Sequence, residues 1–185
     1  MKTAVCVIAS VLCLAACNKG PKVDLHNASG NQVAQAVKQS GVLTSGSTIE
    51  PGLWETKATY SEINVPGLPP QYAEKMKQDM AMGRDKPSHH CIKPEDVKQP
   101  SANFFGGDKD CKFQHFAMGG GKMDVAMLCK AEGTTRTMNM SGSYTPTSYS
   151  LDMAMNASGE GQESGMSIKG HIDAHRVGEC TGKED

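Results

Sequence analysis

From residue 111 onward the chain alternates. Met123, Val125, Met127 and Cys129 are separated by polar or small residues, as are Met138, Met140 and Tyr144. The same period runs through Tyr149, Leu151, Met153 and Met155, then through Met166, Ile168 and Ile172. Successive side chains of a strand point to opposite faces, so this pattern marks strands with one face on a core and the other in water. It predicts strands over 111–118, 122–130, 134–144, 147–158 and 164–180. The turns between them are "GGG" (119–121), Glu132-Gly133, Thr145-Pro146 and a Gly/Ser/Glu loop. Short connections favour antiparallel pairing. "PGLWETKATYSEI" (51–63) adds a strand rich in aromatic and β-branched residues.

One segment has a different period. In "QYAEKMKQDMAM" (71–82), Tyr72, Met76 and Met80 lie four apart, behind Pro69-Pro70 and ahead of Gly83. That is a helix with a start and a stop. The expected fold is therefore mainly β: a curved antiparallel meander of about six strands over 51–181, with one inserted helix covering it and a tail at 182–185. Residues 17–50 are expected to be a flexible tether, because "NKGPKV" and "SGVLTSGSTIEPG" are punctuated by Gly, Ser and Pro. Between them "NQVAQAVKQ" (31–39) can form a short helix. Its stripe is only Val33 and Val37, too thin to hold a helix by itself.

The first sixteen residues have a different purpose. Lys2 is followed by an apolar run from Ala4 to Leu14 and then by small residues. The run is short of the roughly 20 residues that span a bilayer, and its order is that of a secretory signal. "LAAC" (14–17) resembles the bacterial lipobox. The resemblance implies cleavage before Cys17, a lipid on its sulfur and an acylated N-terminus. Asn18 in place of an aspartate implies sorting to the inner leaflet of the outer membrane, facing the periplasm. Losing Lys2 takes the net charge from -1 to -2, and aromatics are 5% of the chain. That balance does not suit a nucleic-acid partner.

Of seven cysteines, Cys6 and Cys13 leave with the signal and Cys17 is capped. Cys91, Cys111, Cys129 and Cys180 remain. In an oxidising compartment these make two disulfides from three possible connectivities. Cys111 and Cys129 lie nine residues either side of Gly120, so a register symmetric about that turn opposes them and leaves Cys91 with Cys180. A bulge in "FQHF", where the apolar parity slips between Phe113 and Phe116, is the feature that could displace this pairing. There is no C-x-x-C and no zinc-type spacing.

Chemistry is scarce elsewhere. No nucleophile elbow, H-E-x-x-H, phosphate loop or dinucleotide fingerprint occurs, so no enzyme is expected and no catalytic residue is assigned. Glu55, Glu62, Asp124 and Asp152 are expected on solvated strand faces. His89 and His90 would face opposite sides of a strand. His171 and His175 would lie about 13 Å apart in one, too far to share an ion. Surface histidines are expected. Met138 and Met140, with Met153 and Met155, form M-x-M pairs on neighbouring strands. Soft thioethers select Cu(I), which gives an alternative metal reading at these four residues; gap-filling in a core poor in aromatics is the simpler account. Trp54, the only tryptophan, is expected to anchor the first strand.

The order "PGLWE" (51–55), "VPGLPP", a Met-rich helix, "HHCIKPED" (89–96), two cysteines around a glycine turn and "HRVGEC" (175–180) resembles a known family. It is similar to the bacterial envelope proteins of domain-of-unknown-function family 3617 over roughly residues 50–181. The resemblance implies a small exported or lipidated protein and transfers no catalytic or binding residue. The expected function is a lipid-anchored periplasmic module, without cofactor, that binds an envelope protein or a small ligand. Alternatives are Cu(I) binding and the carriage of an apolar ligand. A filled interior would point to the interaction module, an apolar cavity of about 300 Å³ or more to the carrier, and exposed converging sulfurs to copper.

Overall fold

The computed structural model describes residues 20–44, 49–82, 87–107, 109–159 and 165–182. Cys17 and the side chain of Met80 lie outside the described residues. The elements in chain order are β1 (Lys22–Ser29), α1 (Gly30–Ser40), β2 (Gly52–Asn64), α2 (Pro70–Met82), β3 (Ser88–Ile92) and α3 (Pro94–Lys98). A 3-10 turn (Ala102–Phe105) follows, then β4 (Cys111–Gly119), β5 (Lys122–Ala131), β6 (Thr134–Tyr144), β7 (Ser148–Gly159) and β8 (Met166–Gly178).

All eight strands form one open antiparallel sheet in the order β1-β4-β5-β6-β7-β8-β2-β3. The meander from β4 to β8 follows the alternating pattern. The strand count is eight rather than about six, because β1 and β3 were not foreseen as strands. β1 lies within the stretch expected to be a tether. Instead it pairs with β4 from Lys22↔Gly119 to Ser29↔Lys112, and Val23, Ala28, Val33, Val37, Val42 and Leu43 all enter the core.

The covering helix also changes identity. α1 is the helix that enters the core, with Val33 and Val37 fully buried, whereas the inserted α2 touches β2 without burying a described side chain. Ser29 caps it, its hydroxyl accepting from the Gln32 amide (3.3 Å) while the Gln32 side chain accepts from the Ser29 amide (2.8 Å). Gly41 ends it in the left-handed conformation (φ 67°). α2 stays at the surface, with Tyr72 58% exposed. Tertiary contact completes a helix that two valines could not hold alone.

The β4–β5 turn is made by Gly120 (φ 59°) and Gly121 (φ 73°). Two positive φ angles in succession give the tight hairpin turn that matches strand twist, and glycine reaches them without strain. Both disulfides are present: Cys111–Cys129, with Cα atoms 3.9 Å apart, and Cys91–Cys180, at 5.6 Å. The second crosses β2 and fastens edge strand β3 to the C-terminal segment. Leu53 pairs with both Cys91 and Gly178.

Candidate functional site

The inner face of the sheet does not fill with side chains. It lines a half-open cavity of about 470 Å³. Its wall runs from Phe116 and Met118 on β4, through Met123, Val125, Met138, Met140 and Leu151, to Ile172 on β8 and His90 and Ile92 on β3. β4 and β3 are six strand spacings apart in the sheet, about 29 Å if it were flat. A sphere of the cavity's volume is only about 10 Å across. One cavity can touch both strands only if the sheet curls strongly.

Gly142 on β6 fits that curl. A Cβ there would run into the carbonyl oxygen of Ser150 on the neighbouring strand, so the close backbone approach requires glycine. Aromatic rings close one side of the cavity. Phe104 and Phe105 from the 3-10 turn meet edge to face (5.1 Å between centroids), and Phe105 meets Phe116 in the same way (5.2 Å).

The polar side chains at the wall are Thr56, His90, Asp96, Tyr144 and Tyr149. Thr56 Oγ1 lies 3.4 Å from His90 Nδ1 and 3.3 Å from the Tyr149 hydroxyl. Burial holds the His90 pKa below its ordinary value, so this ring is neutral at pH 7. Tyr149 in turn stacks on Trp54 (5.7 Å). Trp54 is fully buried and its indole N–H donates to the Glu50 carbonyl at 3.0 Å. It anchors β2 while its stacking partner faces the cavity. Tyr144, on the same wall, is 5% exposed and its hydroxyl has no hydrogen-bond partner among the described residues. Burial pushes its pKa up and outweighs the opposing pull of the nearby Gly121 backbone. An apolar hollow with a few inward polar groups is the usual make-up of a small-molecule site.

The four methionines of the copper reading share this inner face. Met138 is opposite Met155 and Met140 opposite Met153. All four are half-buried, and Met138 and Met140 pack against the core and line the cavity.

The histidines divide by face. His90 faces the cavity, whereas His89 reaches Glu55 (3.2 Å) on the outer surface, so the adjacent pair does point opposite ways. His175 meets the other oxygen of Glu55 at 3.5 Å. His171 stands apart, its Nδ1 2.7 Å from Asp152 and its Nε2 3.2 Å from Asp173 and 2.9 Å from the Ser150 hydroxyl. These carboxylates hold its pKa above the ordinary value, Asp152 most of all. Sequence reasoning missed two parts of the site. Phe104 and Phe105 lie in residues 97–110, which carry no period of two or of 3.6, and Ile49 lies in the segment expected to be a tether.

An open, curled antiparallel sheet with an apolar hollow and two disulfides is the class of domain that the fold defines. The family model described as "Protein of unknown function (DUF3617)" matches residues 49–180, and the chain belongs to that family. No curated protein and no solved structure matches the chain. No helix among the described residues is long and apolar enough to cross a membrane.

Proposed function

We propose that this protein is a lipid-anchored periplasmic binding protein, without catalytic chemistry, that holds an apolar ligand in the hollow of its sheet. One observation carries the reading: a cavity of about 470 Å³ walled by methionine, aliphatic and phenylalanine side chains. It exceeds the roughly 300 Å³ at which such cavities accept small ligands. An interaction module needs no internal space, and a close-packed interior would have left none.

The wall suits an adaptable binder. Met118, Met123, Met138 and Met140 are unbranched and polarisable, so they follow ligands of differing outline. The Thr56–His90–Tyr149 group offers hydrogen bonding to one polar end of such a molecule. The signal sequence and "LAAC" support anchoring through Cys17. The family match leaves ligand and partner open.

The test is to isolate the full-length protein from the membrane fraction of its source, extract it with organic solvent and analyse the extract by mass spectrometry. A defined apolar compound near one per chain is expected. Its absence, together with no uptake of added fatty acid or hydrophobic dye, would contradict the reading. The anchor is tested separately: Cys17→Ser should move the protein from the membrane to the soluble fraction.

A further inference from the structure

A second site lies on the opposite face, between the edge strand β1 and β4. His26 and His115 are directly opposed in the β1–β4 register, and their rings stack at 4.7 Å with 15° between planes. Asp24 precedes His26 by two residues and so shares its face. Its Oδ1 lies 3.4 Å from His115 Nε2 and 3.6 Å from His26 Nε2. The three ligand atoms all fall within 4.8 Å of one another.

Those separations have a chemical meaning. A Zn²⁺ ion with bonds of about 2.0–2.1 Å in tetrahedral geometry sets its ligand atoms about 3.3 Å apart. Two of the three edges already lie within a few tenths of an ångström of that value, and the third, under 4.8 Å, closes when the His26 ring turns out of its stack on His115. His26 and Asp24 are 69% and 61% exposed, so such a rotation meets little resistance. We propose that Asp24 Oδ1, His26 Nε2 and His115 Nε2 bind one divalent late transition-metal ion, Zn²⁺ being the type, with water completing the coordination.

The surroundings match the requirements of such a site. A ligating imidazole needs its other nitrogen held by an acceptor, which fixes the tautomer and aims the lone pair. His115 Nδ1 lies 3.2 Å from Asp124 Oδ1 on β5. The two carboxylates balance the charge of a divalent ion. The strand geometry contributes too. Gln114 is the extra residue of a β4 bulge, and Asn27 beside His26 has a positive φ of 52°. Bulges re-aim neighbouring side chains, and these two irregular residues directly precede His115 and follow His26.

The other histidine clusters on the outer face differ in chemistry. His171 meets Asp152, Asp173 and Ser150, and no second imidazole is among these partners. His89 and His175 each take a different oxygen of Glu55. Among the described residues, only Asp24, His26 and His115 converge. The ion would join β1, which lies before the family-matched segment, to β4, which lies within it.

The experiment is calorimetric titration of Zn²⁺ into the untagged, chelator-treated mature protein, with thermal melting at each metal concentration. One ion per chain is expected, with Tm rising as zinc is added because the ion favours the folded state. His26→Ala and His115→Ala should each weaken binding by tenfold or more and abolish the rise in Tm. Asp124→Asn should weaken it by about tenfold without touching the ion. His171→Ala should change neither readout. Absence of saturable binding would overturn the site, as would wild-type affinity in His26→Ala or a loss in His171→Ala equal to that in His115→Ala.

Discussion

Cys111 and Cys129 face each other because Gln114 is an extra residue in β4. The turn centres between Gly120 and Gly121, and the register beside it pairs Gly119 with Lys122 and His115 with Ala126. Continued without interruption, that register would set Cys111 against Lys130. The bulge at Gln114 shifts it by one residue, so Phe113 meets Met127 and Cys111 meets Cys129. The parity slip expected to endanger the bridge is what aligns it. Lys130 N–H donates to the Asp110 carbonyl at 2.9 Å. The cysteine pair therefore occupies the adjacent, non-hydrogen-bonded position, where side chains approach most closely.

The two bridges should differ in worth. Replacing Cys111 and Cys129 by serine should cost about 3 kcal/mol, and replacing Cys91 and Cys180 about 4–5 kcal/mol, since the second closes the longer loop (separation 89 against 18). Denaturant unfolding of the two double variants checks the order. Equal losses would contradict it.

Much of this fold is legible in the sequence, and the reason is physical. β5, β6 and β7 bury one face only, so Met123 to Cys129, Met138 to Tyr144 and Tyr149 to Met155 keep a strict period of two. β1 hides because Val23, Leu25 and Ala28 do not: the irregularity at Asn27 breaks their alternation, and Lys22, Asp24 and His26 give the segment a polar look. β3 is a five-residue edge strand, too short for any pattern. The hollow is invisible to periodicity. It depends on curvature and on space left unfilled, and a half-buried methionine beside a void has the same spacing as one in a packed core.

Tyr144 should be tolerant. Tyr144→Phe removes a buried hydroxyl that has no partner among the described residues, so stability should be unchanged or rise by up to about 1 kcal/mol. A loss above 1 kcal/mol by chemical denaturation would mean that the hydroxyl is bonded after all.

Trp54→Ala should be among the most damaging single changes, costing about 3–5 kcal/mol. It removes a fully buried ring, its stack on Tyr149 and its bond to the Glu50 carbonyl. Thermal and urea unfolding measure this, and a cost under 1 kcal/mol would refute the anchoring role.

Two histidines should pull the pH dependence in opposite directions about their ordinary value of 6.5. His171 has a raised folded pKa, so its contribution is complete below 6.5 and is lost as pH rises through the folded value. His90 has a lowered one. The unfolded chain takes up its proton first, so stability falls as pH drops below 6.5. Histidine NMR titration should place His171 above His90, and Asp152→Asn should lower His171 alone. The reverse order would contradict the geometry.

The most direct test of the hollow is titration of the mature protein with a fluorescent fatty-acid analogue, beside Met140→Trp, whose larger ring should occupy the space. We expect one probe per wild-type chain and at least a tenfold weaker affinity in the variant, with the fold retained by circular dichroism. Undiminished affinity in a folded Met140→Trp, or no saturable uptake by the wild type, would contradict the claim that the curled sheet receives an apolar guest.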